Sequence, residues 1–287
     1  MYTPDDTFIL RGADGEEIPG DLYLPAHEGH APVVILVHGF KGFKHWGFFP
    51  FLGRTLADAG FAAASISLSH CGLTGSTDVF NRLDLFERDT WGKRLHDLQQ
   101  AVTASALGLL TNKRDLDGSR LALVGHSAGG GLCVLEAAKD RRVKALVTLA
   151  GISRPNRWSP DEYEPHLRAS GAMTILNGRT GQEMRVGTQF FEEIAAHPQA
   201  FDILAAARSL TQPWLLVHGV DDESVPFDEA RELLEAAGGN AVGGENARLL
   251  SIDNTGHAFG AQHPLKRRPP ELVQISEAII AHLRRVL

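Results

Sequence analysis

A chain of 287 residues, 43% hydrophobic and 22% charged, has the balance of a soluble globular protein able to bury a large core. Its 28 Lys and Arg face 35 Asp and Glu, a net charge of −7 with no basic run longer than three residues. That argues against nucleic acid and anionic membrane surfaces as partners. The start, MYTPDDTFIL, carries acids where a secretory signal would be basic and then apolar. The longest apolar runs are far too short to cross a bilayer, so a cytoplasmic location is expected. Two cysteines, Cys71 and Cys133, make neither a disulfide framework nor a metal-site spacing.

Residues 7–10 and 18–24 alternate or favour extended backbone, with Ala13-Asp14-Gly15 supplying a turn between them. Short apolar runs follow: VVILV (33–37), FAAASISL (61–68), RLALV (120–124), ALVTLA (145–150), WLLV (214–217) and RLLSI (248–252). Runs of four to eight such residues bounded by Gly or polar groups fit strands buried on both faces. Between them lie helical patterns. Residues 48–59 stop at Gly60, and 94–110 carry Leu95, Leu98, Val102 and Leu109 as one apolar stripe. Residues 128–139 and 229–237 follow strands. Residues 271–287, behind Pro269-Pro270, place Leu272, Ile275, Ile279, Leu283 and Val286 on one face. Strand and helix alternating in this way predict βαβ units wound into one mostly parallel sheet, about eight strands with helices on both faces.

Residues 152–212 break the rhythm, because no single crossover helix needs 60 residues. Their aromatic and apolar content argues against a flexible linker. They are expected to form a small cap over the C-terminal edge of the sheet, where open α/β folds bind ligands, leaving 1–151 and 213–287 as the core.

Chemistry concentrates in Leu121-Ala-Leu-Val-Gly-His-Ser-Ala-Gly-Gly-Gly131. It holds G-x-S-x-G between a predicted strand and a predicted helix, the context of a nucleophile elbow. Gly125 and Gly129 permit close backbone approach, and Ser127 would present its hydroxyl at the sheet edge before a helix N-terminus. A phosphate loop would need G-x-x-x-x-G-K-[ST] or G-x-G-x-x-G, and neither is present.

A serine hydroxyl needs a base, and the base an orienting acid; in this fold they follow in the order Ser, acid, His. Asp221 and Asp222 follow the run WLLV. His257, in DNTGHAF after the last strand, fits the base, with His263 as a rival farther from the strand end. Asp253 reads as turn support. One oxyanion donor follows from the elbow, the Ala128 N–H. The second is expected in His38-Gly-Phe-Lys-Gly-Phe-Lys44, where Gly39 would turn the chain so that the Phe40 N–H faces the nucleophile. Phe40, Trp158, Met184 and Phe190 are candidate substrate-pocket walls. His38 and His218 read as backbone-bonded histidines at strand ends, and His126 as a side chain pointing away from the nucleophile. Cys133 reads as core, and nothing arms Cys71 as a nucleophile. No H-E-x-x-H or Cys/His spacing suggests a metal, so no metal or other cofactor is expected.

Taken together, VVILVHGFKGFKHWGFFPFL, GHSAGG, the acid segment and TGHAF resemble small prokaryotic α/β-hydrolase serine esterases of the dienelactone-hydrolase-like and acyl-peptidase-like group. The likeness spans residues 33–260. It departs from dienelactone hydrolases proper, whose nucleophile is cysteine, and lacks the H-G-G-G oxyanion motif of another esterase branch. His218-Gly-Val-Asp-Asp-Glu-Ser-Val-Pro226 resembles the family's H-G-x-x-D-x-x-V-P pattern, a register that gives Asp222 the acid's position and leaves Asp221 to solvent or the loop. The resemblance implies a Ser127–Asp222–His257 triad cleaving a small-molecule carboxylic ester through an acyl-enzyme. Amide or peptide hydrolysis by the same triad is the alternative, and a catalytically silent ligand-binding protein a more distant one. The cap and the outer strand are the surfaces that would support a homodimer.

Overall fold

A computed structural model describes residues 2–27, 29–75, 78–238 and 246–287. Its main sheet has eight strands: β1 (Asp6–Arg11), β2 (Glu17–Tyr23), β3 (Ala31–Val37), β4 (Ala62–Ile66), β5 (Leu116–His126), β6 (Val143–Leu149), β9 (Trp214–Gly219) and β10 (Ala247–Ile252). They lie in the order β1-β2-β4-β3-β5-β6-β9-β10. The pairings from β4 to β10 are parallel, and only β1–β2 and β2–β4 are antiparallel. This is the mostly parallel wound sheet that the apolar runs predict.

Alternation along the strands divides the core into two layers, because successive side chains leave opposite faces of a sheet. Val33, Ile35 and Val37 of β3 and Leu121 and Leu123 of β5 join the helices α3 (Trp91–Ala106), α4 (Ala128–Lys139) and α8 (Phe227–Ala236) in one cluster. Val34 and Leu36, with Ala122 and Val124, meet α1 (Phe49–Asp58) and α9 (Pro270–Val286) on the other face. Leu272, Ile275, Ile279 and Leu283 of α9 are buried there as their spacing requires, and Val286 packs at the margin. Among the described residues no helix is long and apolar enough to cross a membrane.

The third helix differs from the sequence expectation. It runs from Trp91, capped by the Thr90 hydroxyl accepting from the Lys93 N–H, and stops at Ala106. Gly108, at φ 70°, turns the chain, so Leu109 does not join the stripe and lies 67% exposed. A short helix α2 (Leu83–Glu87), not foreseen, precedes it.

Residues 152–212 fold into α5 (Pro160–Ser170), a hairpin of β7 (Ala172–Leu176) and β8 (Glu183–Gly187), α6 (Thr188–Ala196) and α7 (Ile203–Ser209). The helix predicted from Gln189 is α6. Helix α7 packs on α4 and α8 as part of the core layer. Glu193 of α6 ties this segment to the sheet side: its carboxylate accepts from the Thr90 hydroxyl at 3.0 Å and the Gly92 N–H at 2.9 Å. An acid there satisfies free donors at the positive end of α3.

Candidate active site

Ser127 sits between the end of β5 and the start of α4 with φ 56° and ψ −121°. For a residue with a Cβ this conformation costs roughly 1–3 kcal/mol and must be held by its surroundings. They hold it closely. A Cβ on Gly125 would lie 2.2 Å from the Gly129 carbonyl oxygen, and one on Gly129 would lie 2.4 Å from the His38 carbonyl oxygen. Helix α4 therefore crosses β5 and the end of β3 at a distance only glycine allows, and its first turn meets the serine.

The loop after β3 passes just as near. A Cβ on Gly39 would fall 2.8 Å from the Ser127 Cβ and 3.3 Å from its Oγ. His38 fixes this turn: its Nδ1–H donates to the Gly39 carbonyl at 2.8 Å while its Nε2 accepts the Leu68 N–H at 3.0 Å. Burial pushes the His38 pKa down to about 4, which keeps the ring neutral and able to play both parts. Phe40 and Ala128 lie together on the wall of the cavity that holds Ser127. Among the described residues, neither N–H is engaged by an acceptor.

Asp222 and His257 form a hydrogen-bonded pair, Nδ1–H donating to Asp222 Oδ2 at 2.8 Å. The other carboxylate oxygen, Oδ1, accepts the Ser224 and Val225 N–H groups, each at 2.9 Å. His218 adds a contact that its local sequence does not reveal. Its Nε2 lies 3.3 Å from Asp222 Oδ2 while donating to the Val225 carbonyl at 2.8 Å. Burial opposes the charge on Asp222, but hydrogen bonds from His218 and His257 outweigh it and hold the carboxyl well below the usual carboxylate range. Asp221 is exposed.

Ser127 and His257 face the same cavity of about 370 Å³. Among the described residues no hydrogen bond joins the Ser127 hydroxyl to the ring, an arrangement common before substrate tightens a site. Trp158 and Phe190 share this wall, Trp158 lying edge-on to Phe40 at 5.8 Å between ring centroids. Met184 is not brought here: strand β8 turns it into the core, fully buried. His263 lies elsewhere, partly buried, its Nδ1 accepting the Gly47 N–H at 2.9 Å.

His126 departs from expectation. Its Nε2–H donates to the His257 backbone carbonyl at 3.0 Å, and its ring lies near-parallel to Trp46. A second space of about 240 Å³, lined by His126, Trp46 and Arg179, also reaches Ser127 and His257. Burial, with the neighbouring His257 ring, pushes the His126 pKa down to about 3. Cys71 is buried in the wall of a small void behind Phe40 with its thiol pushed up to about 12, and Cys133 is core. No cluster of His, Cys, Asp or Glu able to hold a metal occurs among the described residues.

A wound sheet with an elbow serine at the end of its fifth strand defines an α/β-hydrolase. The chain belongs to the prolyl oligopeptidase family, whose model matches residues 55–271. It is 25% identical over 277 residues to isoprenylcysteine alpha-carbonyl methylesterase of Arabidopsis thaliana, an alignment covering 88% of this chain and 56% of that protein. The chain thus spans little more than half the length of that relative. Its fold is similar to the esterase domain of a Rhodothermus marinus protein, with a TM-score of 0.63, 20% identity and 98% of each chain covered. It also matches Pyrococcus horikoshii acylaminoacyl peptidase, with a TM-score of 0.68 and 17% identity, over 98% of this chain and 41% of that one.

Proposed function

We propose that this chain is a serine hydrolase that cleaves carboxylic esters through an acyl-enzyme. The observation that carries the reading is the Asp222–His257 hydrogen bond set on the same cavity as a Ser127 held in the left-handed region. His257 takes the hydroxyl proton at Nε2 as Ser127 Oγ attacks the acyl carbon. The Phe40 and Ala128 N–H groups hold the tetrahedral oxyanion, and Asp222 stabilises the imidazolium. The proton then passes to the departing alcohol. A water deprotonated by His257 attacks the acyl-enzyme, releasing the acid and restoring the serine. The part of the insertion ahead of the core helix α7, residues 152–196, acts as the cap, with Trp158 and Phe190 as pocket walls.

Esterase-named relatives support an ester substrate. A second reading, amide hydrolysis by the same groups, is favoured by the peptidase family that the chain belongs to. Parallel assays of 4-nitrophenyl esters and the matching 4-nitroanilides separate the two. The ester reading expects ester turnover far above anilide turnover, both abolished in Ser127→Ala. Anilide turnover equal to or above that of the esters would favour the amide reading, and activity surviving Ser127→Ala would overturn both.

A further inference from the structure

Although the chain is acidic overall, the walls around Ser127 are not. The larger cavity is lined by Lys41, Arg94 and Arg157, and the smaller by Lys41 and Arg179; among the described residues, no Asp or Glu lines either one. The acid of the site, Asp222, lies behind His257. Three of these cations already have oxygen partners. Arg94 is paired with buried Asp89, Arg157 with Glu229 at 3.1 Å, and Arg179 donates to the Asp78 carbonyl.

Lys41 differs. Among the described residues its ammonium has no ion pair and no hydrogen bond, only the Phe40 ring at 6.0 Å. It lies next in sequence to the oxyanion-loop residue Phe40 and borders both spaces. Burial lowers its pKa, the mark of a cation stripped of part of its water without an anion in return. A half-desolvated charge is costly, and a ligand anion that pairs with it removes that cost. The larger cavity that Lys41 borders also carries the apolar and aromatic surface of Phe40, Trp91, Trp158 and Phe190.

We propose that Lys41 anchors an anionic group of the substrate, so that the site selects esters with an apolar body and a carboxylate set apart from the scissile carbonyl. This inference rests on the ester-hydrolase reading.

Two matched substrate pairs test it. On the acyl side, mono-4-nitrophenyl glutarate is compared with 4-nitrophenyl 5-methylhexanoate, in which an isopropyl group replaces the carboxylate. On the alcohol side, 4-carboxyphenyl butyrate is compared with 4-acetylphenyl butyrate. At least one anionic member should exceed its neutral partner about tenfold in kcat/KM, a ratio equivalent to about 1.4 kcal/mol. That ratio should fall toward one in Lys41→Met, return in Lys41→Arg, and shrink with added salt. If Lys41→Met instead lowers both members of a pair alike, Lys41 serves the reaction centre and the inference is overturned. Turnover of neutral esters with no anionic preference in either pair overturns it too and leaves ester hydrolysis standing. No turnover of any of the four overturns the ester reading and this inference with it.

Discussion

The imidazole of His126 donates from Nε2 to the backbone carbonyl of His257 at 3.0 Å, so the residue before the nucleophile holds the loop that carries the base. The two rings lie 4.7 Å apart between centroids. Losing a buried hydrogen bond of this kind costs about 1–3 kcal/mol. If that cost falls on the alignment of His257, His126→Phe, which retains a ring against Trp46, lowers kcat by roughly 10- to 100-fold. Because His126 stays neutral down to about pH 3, the shape of the pH–rate profile does not change. Rates on a 4-nitrophenyl ester between pH 5 and 9 check both statements.

Asp222→Asn keeps the shape of the acid but removes its charge and favours the wrong tautomer of His257. As the equivalent Asp-to-Asn change does in serine proteases with this triad, it should lower kcat by about 10⁴. The same change carries a pH signature in stability. The folded pKa of Asp222 lies below its reference value of 3.8, so its contribution is fully present above that value and is lost as pH falls through the folded one. The Tm gap between wild type and Asp222→Asn is therefore wide at pH 7 and narrows below about pH 4. Thermal melts at pH 7 and pH 3 measure it.

Gly39→Ala places a methyl group 2.8 Å from the Ser127 Cβ and 2.9 Å from the His126 carbonyl oxygen. The loop must withdraw and take the Phe40 N–H with it. Loss of one oxyanion donor costs roughly 10²–10³ in kcat. Steady-state kinetics of this variant should show that loss, whereas unchanged kcat would remove the Phe40 N–H from the reaction.

Asp89 and Arg94 are both buried, joined by hydrogen bonds from Arg94 Nε at 2.8 Å and Nη2 at 2.5 Å to one carboxylate oxygen. Asp89→Ala leaves the guanidinium buried without its anion, a change that costs about 3–5 kcal/mol. Urea unfolding of the variant reads the loss directly, and a shift below 1 kcal/mol would show that the surrounding rings satisfy the charge unaided.

The elbow was legible because its signals are local: an apolar strand, glycines at fixed offsets and a helix-forming run together leave Ser127 one conformation. Asp222 needed the register of His218-Gly219, and His257 the strand before it. Residues 160–170 give no apolar stripe in the sequence, since α5 buries none of its residues. Its local signal is the capping box of Ser159 and Glu162. Strand β8 lies within residues 177–188, where Gly and Thr interrupt any strand pattern. Met184 illustrates the limit of composition, which cannot say whether an apolar residue of the insertion faces ligand or core. The cations at 41, 94 and 157 come from a loop, a helix and the insertion, so only the folded chain shows that they share a wall. His126 reaches the loop of the base through a contact that no spacing along the chain encodes.

The central claim, that His257 activates Ser127 as a nucleophile toward acyl carbon, is tested most directly by the rate and position of fluorophosphonate labelling. Peptide mass spectrometry should find the adduct on Ser127 in the wild-type protein, absent in Ser127→Ala and formed at least 10²-fold more slowly in His257→Ala, a loss within the usual range for a general base. Labelling of Ser127 at equal rates with and without the imidazole, or ester turnover without any adduct at Ser127, would contradict it.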